Sequence, residues 1–199
     1  AGIIIFTSKV IENDIDKGIG ALYVDAGSKG LNISPPENKM GWKGSDTRTI
    51  FFDNMRIPKG NVLGKPGKGF NQFLATLTIG RISISALALG NAIGAYQIAL
   101  KYSNEREAFG KKINKFQGVS FKLAEMETQI QASRHLIYHA AWLKDNNKDV
   151  IKDAAVAKLF SSEAAMKITT EAIQILGGYG YIKEYNVERF FRDAKLLTI

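Results

Sequence analysis

The sequence contains no cysteine, which removes disulfide cross-links and thiolate metal sites and is compatible with a reducing compartment. Any redox chemistry would then need a borrowed cofactor. No unbroken apolar run approaches the roughly 20 residues that cross a bilayer, so no membrane span is expected. Ala1-Gly2-Ile3-Ile4-Ile5-Phe6 lacks the basic lead of a signal peptide and reads as a buried strand. The chain begins without Met and on strand-like residues, so its true beginning is expected upstream. No G-x-S-x-G, Walker loop or G-x-G-x-x-G after a strand is present, which leaves hydrolase, NTPase and Rossmann dinucleotide readings without support. Acidic residues are outnumbered, 19 against 27 Lys and Arg, giving a formal charge of +8. Those cations are interleaved with acids, as in Asn104-Glu105-Arg106-Glu107 and Lys183-Glu184, and only Lys111-Lys112 forms a basic doublet in the second half of the chain. Without clustering, no nucleic-acid partner is expected. The two histidines, His135 and His139, stand four apart on one predicted helix. No Glu follows His135 and no third ligand is apparent nearby, so helix-face histidines are expected rather than a metal site.

What is present suffices for a folded core: 199 residues, 45% hydrophobic and 10% aromatic. Up to about Gly69 short apolar runs, Ile3 to Phe6, Ile19 to Val24, Leu31 to Ile33 and Thr49 to Phe52, alternate with turn formers such as Asn13-Asp14, Asp25-Ala26-Gly27, Ser34-Pro35-Pro36 and Pro58-Lys59-Gly60. This pattern predicts strands of an antiparallel sheet or part of a barrel. Gly64-Lys65-Pro66-Gly67-Lys68-Gly69 then breaks the chain, and the apolar period changes to three and four. Helices are predicted from Phe70 to about Leu100, from about Gly118 to Lys144, from about Val150 to Leu176 with a left-handed cap at Gly177-Gly178, and from near Tyr185. The expected fold is therefore α+β, with a partial antiparallel β domain over residues 1–67 and an antiparallel long-helix bundle over residues 68–199.

Two motifs carry more than architecture. Arg106-Glu107-Ala108-Phe109-Gly110, followed by Ile113 and Phe116-Gln117, resembles the R-x-x-F-G-x-x-I-x-x-F-Q signature of the acyl-CoA dehydrogenase family. Gln174-Ile175-Leu176-Gly177-Gly178-Tyr179-Gly180 resembles that family's Q-I-L-G-G-x-G. Lys39 to Ser45 and Phe52 to Pro58 look like the end of its middle domain, and Arg189 to Lys195 like its last shared stretch. The resemblance spans essentially the whole chain, and the run of the helices looks most like short-chain members such as butyryl-CoA dehydrogenases. It implies the C-terminal two-thirds of an FAD-dependent enzyme that oxidises acyl-CoA thioesters, passes electrons to an electron-transferring flavoprotein and forms a homodimer or homotetramer. Either the bacterial cytoplasm or the mitochondrial matrix would suit it.

By the same resemblance, Arg106, Phe109 and Gln117 together with Gln174, Ile175, Leu176, Gly177 and Gly178 contact the FAD of a neighbouring subunit. A guanidinium suits that task because it can hold a pyrophosphate bidentately with a charge that does not titrate, and glycines let backbone approach a ligand. Taken singly, a helix-end charge, a surface amide and a glycine cap are the ordinary readings; the joint pattern favours the cofactor. Thr78, Ile79, Gly80 and Arg81 are implied to border the acyl-CoA cleft. Arg81 interrupts an apolar helix face, so a buried partner is expected for it, with a structural ion pair as the alternative. Many family members have Asp where Thr78 stands, which puts one coenzyme A contact in doubt. The family places its α-proton base, a Glu, either just before the Arg matching Arg81 or shortly after the R-D-A-K stretch. The first position is Gly80 here, so the base is expected beyond Ile199, with no catalytic residue inside the chain and little FAD affinity or activity in it alone. Two alternatives remain open: a same-fold oxidase or monooxygenase that uses oxygen, and a non-catalytic oligomerisation module.

Overall fold

A computed structural model describes residues 2–199. Its order is five strands, β1 (Ile3–Glu12), β2 (Ile15–Asp25), β3 (Leu31–Ile33), β4 (Ile50–Phe52) and β5 (Val62–Leu63), then helix α1 (Gly69–Glu105). A two-residue hairpin of β6 (Glu107–Ala108) and β7 (Lys111–Lys112) precedes α2 (Gln117–Asp145), α3 (Ile151–Leu176) and α4 (Val187–Leu197). The chain forms two compact units: Ala1–Asn38 with Gly44–Leu77, and Lys39–Lys43 with Thr78–Ile199. The short segment Lys39–Lys43 thus belongs with the helices, a placement that linear reading does not anticipate.

In the first unit β1 and β2 form an antiparallel hairpin, with β5 on the other edge of β2 and β3 paired to β4. The hairpin is longer than the apolar runs alone predict. Its turn, Asn13-Asp14, has φ of 51° and 61°, the primed-turn geometry whose twist matches the flanking strands, so pairing continues through polar residues to the tip. The glycine-rich break also acquires a steric reason. A Cβ on Gly69 would lie 2.1 Å from the Ala21 nitrogen, and one on Gly67 (φ 77°) 1.7 Å from the Lys17 carbonyl oxygen. Only glycine lets the start of α1 run this close to β2.

In the second unit α1 presents Ala88, Ala92, Ala95 and Ala99, all at most 2% exposed, to a core shared with Leu123, Met126 and Ile130 of α2, Ile168, Ala172 and Ile175 of α3, and Val187, Ala194 and Leu197 of α4. The four-three-four spacing of those alanines keeps one stripe facing inward. A second cluster joins Ile137 and Ala140 of α2 to Ala154 and Ala157 of α3. The turn between α2 and α3 is short, so they pack as antiparallel neighbours, and an ion pair from Lys122 to Glu171 joins them. Buried hydroxyls of Ser85, Ser103, Ser162 and Thr169 donate to carbonyls three or four residues earlier, which satisfies them without cross-helix partners.

One expectation holds only for unbroken apolar runs, and one needs correction. α1 is long and apolar enough, by length and composition, to cross a membrane; single polar residues such as Ser83, Ser85, Asn91 and Gln97 interrupt every apolar run and hide this from a count of consecutive apolar residues. Arg81 is exposed rather than buried, and among the described residues no carboxylate lies within 4.0 Å of it, so no desolvation cost calls for a partner. The cap of α3 is also more specialised than expected: Gly177 has φ 59° and ψ −135°, a backbone region reached readily only by glycine.

Candidate functional site

Arg106 is the first residue beyond α1, and its N–H still donates to the Tyr102 carbonyl at 2.8 Å. Its side chain therefore leaves the helix end one turn above Tyr102. Across from it the chain leaves α3 and runs through a 3-10 segment, Gly177–Tyr181. Arg106, Tyr102 and Ile113 with Ile175 to Tyr179 and Ile182 enclose an open cavity of about 520 Å³. A Cβ on Gly177 or Gly178 would meet nothing within 4 Å, so backbone there is bare toward the opening. Nearby acid is diverted: Glu107 pairs with Lys112 at 2.8 Å, and that hydrogen bond holds its carboxyl below the usual range. Among the described residues the Arg106 guanidinium has no carboxylate partner. It lies instead over the Tyr179 ring, 5.8 Å from the centroid. The site is a fixed cation over an accessible glycine backbone, which suits a diphosphate.

The other residues that the resemblance implies for the cofactor divide. Ile175 and Leu176 are 7% and 3% exposed, so their side chains serve the core and only their backbone could meet a ligand. Phe109 is 96% exposed with φ 50°, an aromatic held outward in a left-handed conformation and touching Phe116 edge-on. Gln117 opens α2 and is exposed. Gln174 lines a different cavity, of about 650 Å³, with Met40, Lys43, Lys183, Phe191 and Arg192. That second cavity is framed by a contact between the Lys39–Lys43 segment and α4. Asp193 Oδ1 accepts from the Trp42 N–H at 2.6 Å, Trp42 Nε1 donates to the Asp193 carbonyl at 2.8 Å, and Arg192 donates to the Met40 carbonyl at 2.7 Å. Arg192 is itself aligned by Glu188 at 2.6 Å.

Thr78, Ile79, Gly80 and Arg81 lie on successive positions of α1, distant in sequence from both cavities and lining neither. A Cβ at Gly80 would meet nothing within 4 Å. His139 Nε2 lies 3.6 Å from Asp153 Oδ1 and its ring stacks on Trp142, while His135 is exposed on the same helix. Sequence reasoning missed Tyr102, Tyr179 and Tyr185, whose rings gather beside Arg106, and the clasp of Trp42 by Asp193. The tyrosines had a faint signal, since Tyr179 fills the variable place of Q-I-L-G-G-x-G. The clasp had none, because its halves lie 151 residues apart.

A long-helix bundle preceded in sequence by a partial antiparallel sheet is the architecture of acyl-CoA dehydrogenases. The family model of the acyl-CoA dehydrogenase C-terminal domain matches residues 67–199, and the chain belongs to that family. It is 51% identical over 181 residues to a probable acyl-CoA dehydrogenase of Bacillus subtilis, covering 91% of this chain and 48% of that protein. It is 44% identical over 183 residues to a subunit of the caffeyl-CoA reductase-Etf complex of Acetobacterium woodii, covering 92% of this chain and 48% of that one. The structure of butyryl-CoA dehydrogenase from Megasphaera elsdenii superposes with a TM-score of 0.95 at 44% identity, over 100% of this chain and 52% of that chain. The chain thus spans about half the length of the relatives it matches, less than the two-thirds that the resemblance implied.

Proposed function

We propose that the protein carrying this chain is an FAD-dependent acyl-CoA dehydrogenase that oxidises a short-chain acyl-CoA between its α and β carbons and passes the electrons to an electron-transferring flavoprotein. The observation that carries the reading is Arg106, a cation without a carboxylate partner, facing an open cavity beside the bare backbone of Gly177 and Gly178. When bound, FAD supplies a two-electron acceptor for the hydride that leaves the β-carbon. Arg106 would hold its diphosphate, with backbone of Ile175 to Gly178 closing on it. Phe109 and Gln117, both turned outward, would meet the part of the cofactor held by a neighbouring subunit. Gln174, which lines the second cavity, would meet the same ligand from that side. Thr78, Ile79 and Arg81 would border the thioester cleft, where the exposed Arg81 can meet substrate charge without first breaking an ion pair. Gly80 has no side chain to take the α-proton, so this position does not supply the base.

A homodimer or homotetramer fits the apolar surface that a single chain leaves exposed, including Leu87 at 45%, Phe121 at 61% and Leu159 at 59%. The electron-transferring partner is favoured by the relative that belongs to an Etf complex. The test uses the full gene product. Tightly bound flavin, bleached on addition of butyryl-CoA and reoxidised by a dye acceptor faster than by oxygen, is expected. A preparation that binds no flavin, or whose flavin is untouched by any acyl-CoA, would overturn the reading, and fast reoxidation by oxygen would move it to an oxidase.

A further inference from the structure

We propose that Tyr179 is a positioning residue for Arg106: its ring face, braced by Tyr102 and Tyr185, holds the guanidinium toward the diphosphate cavity in place of the carboxylate that would otherwise neutralise it. The inference deepens the proposed function and rests on its assignment of Arg106. Three rings meet beside this one cation. Tyr179 and Tyr185 lie 5.0 Å apart between centroids, Tyr102 stands edge-on to Tyr185 at 6.1 Å, and Tyr102 lies 6.3 Å from Tyr179. The Arg106 carbon centre is 5.8 Å from the Tyr179 centroid, within the range of a cation–π contact.

Two of the rings sit on backbone that is placed independently of the arginine side chain. Tyr102 is held by the last turn of α1. Tyr179 sits in the 3-10 segment pinned by Gly180, where a Cβ would come 2.5 Å from the Ile173 carbonyl oxygen; with no Cβ there, the segment lies flat on α3. Burial raises the Tyr102 hydroxyl pKa, which keeps that ring neutral beside the cation. An aromatic face suits this task better than a carboxylate would. It orients the guanidinium plane while leaving its charge uncompensated, so an arriving diphosphate displaces no competing anion. An unbraced arginine at a helix end would spread over many rotamers and lose that entropy on binding.

The test titrates FAD into the apo form of the full gene product, reading quenching of flavin fluorescence, with thermal midpoints measured in parallel. Arg106→Ala should weaken FAD by roughly tenfold or more, as loss of a charge-assisted contact does. Tyr179→Leu, which keeps bulk but removes the ring face, should weaken it by about two- to fivefold, while Tyr179→Phe should bind like the unmodified protein. In the Arg106→Ala background Tyr179→Leu should have no further effect, because its influence passes through the guanidinium. Full FAD affinity in Tyr179→Leu beside a weakened Arg106→Ala overturns the positioning role alone. An equal loss from Tyr179→Leu with and without Arg106 also overturns it, by showing an independent contact. Unchanged binding in Arg106→Ala removes the assignment of the arginine, and the positioning role with it.

Discussion

The contact between the Trp42 segment and α4 allows a quantitative test. Asp193→Ala deletes the carboxylate that accepts the Trp42 N–H at 2.6 Å, in a half-buried setting where water replaces it only in part. A hydrogen bond to a charged group contributes about 1.5 to 3 kcal/mol; partial exposure brings the expected loss toward the lower end, about 1 to 2 kcal/mol. For a protein of this size that corresponds to a fall of roughly 2 to 8 °C in thermal midpoint. The indole bond to the Asp193 carbonyl uses backbone and survives the substitution, so the segment should loosen rather than detach. Asp193→Asn keeps a carbonyl acceptor of the same shape without the charge and should lose about half as much, since ionised acceptors bind roughly twice as strongly as neutral ones. Trp42 is one of two tryptophans, so in a Trp142→Phe background its emission reports the segment directly, and Asp193→Ala should shift it to the red. A midpoint within 1 °C of the parent, with unshifted Trp42 emission, would refute the role given to Asp193.

Other expectations follow from the same geometry. Gly41→Ala should destabilise by about 1 to 3 kcal/mol in urea titration, because its Cβ would lie 2.6 Å from Asp193 Oδ1 and 2.8 Å from the Arg192 carbonyl oxygen. Gly90→Ala, whose Cβ meets nothing within 4 Å inside α1, should instead stabilise by up to about 1 kcal/mol; a loss would show that the glycine is needed for packing in the assembled protein. Arg192 holds the Glu188 carboxyl below its ordinary value, so this pair contributes stability above that ordinary value and loses it as pH falls through the lowered one. Glu188→Gln should accordingly flatten the acid limb of a midpoint-against-pH curve, and an unchanged limb would count against the pair. Arg81→Ala should leave the midpoint within about 1 °C, as expected for an exposed side chain without an ion pair, while raising the KM for acyl-CoA in the full gene product.

The change of apolar period at Gly64 to Gly69, the four helices and the hairpin turn at Asn13-Asp14 were legible in the chain itself, because each depends on local spacing or on the conformational freedom of a single residue. The R-x-x-F-G and Q-I-L-G-G motifs were legible for the same reason. Burial is where local reading failed. It assigned Arg81 a buried partner because its neighbours in sequence are apolar, yet a helix face is covered or left bare by other elements, and here it is bare. Ile175 and Leu176 fell inside a cofactor motif, but the packing of α3 against α1 and α4 turns their side chains into the core. Which residues share a cavity was likewise a tertiary outcome: Gln174, adjacent in sequence to Ile175, is turned by the helical step into a separate cavity lined by Met40, Lys43 and Arg192. Sequence by itself determined the four helices, the strands β1 to β4, their order and the family, since those rest on periodicity and motif. Only the tertiary structure decided that Arg106 would face an aromatic ring instead of an acid, because that neighbour comes from a helix end some seventy residues further along the chain, brought there by the burial of α1 alanines against α3.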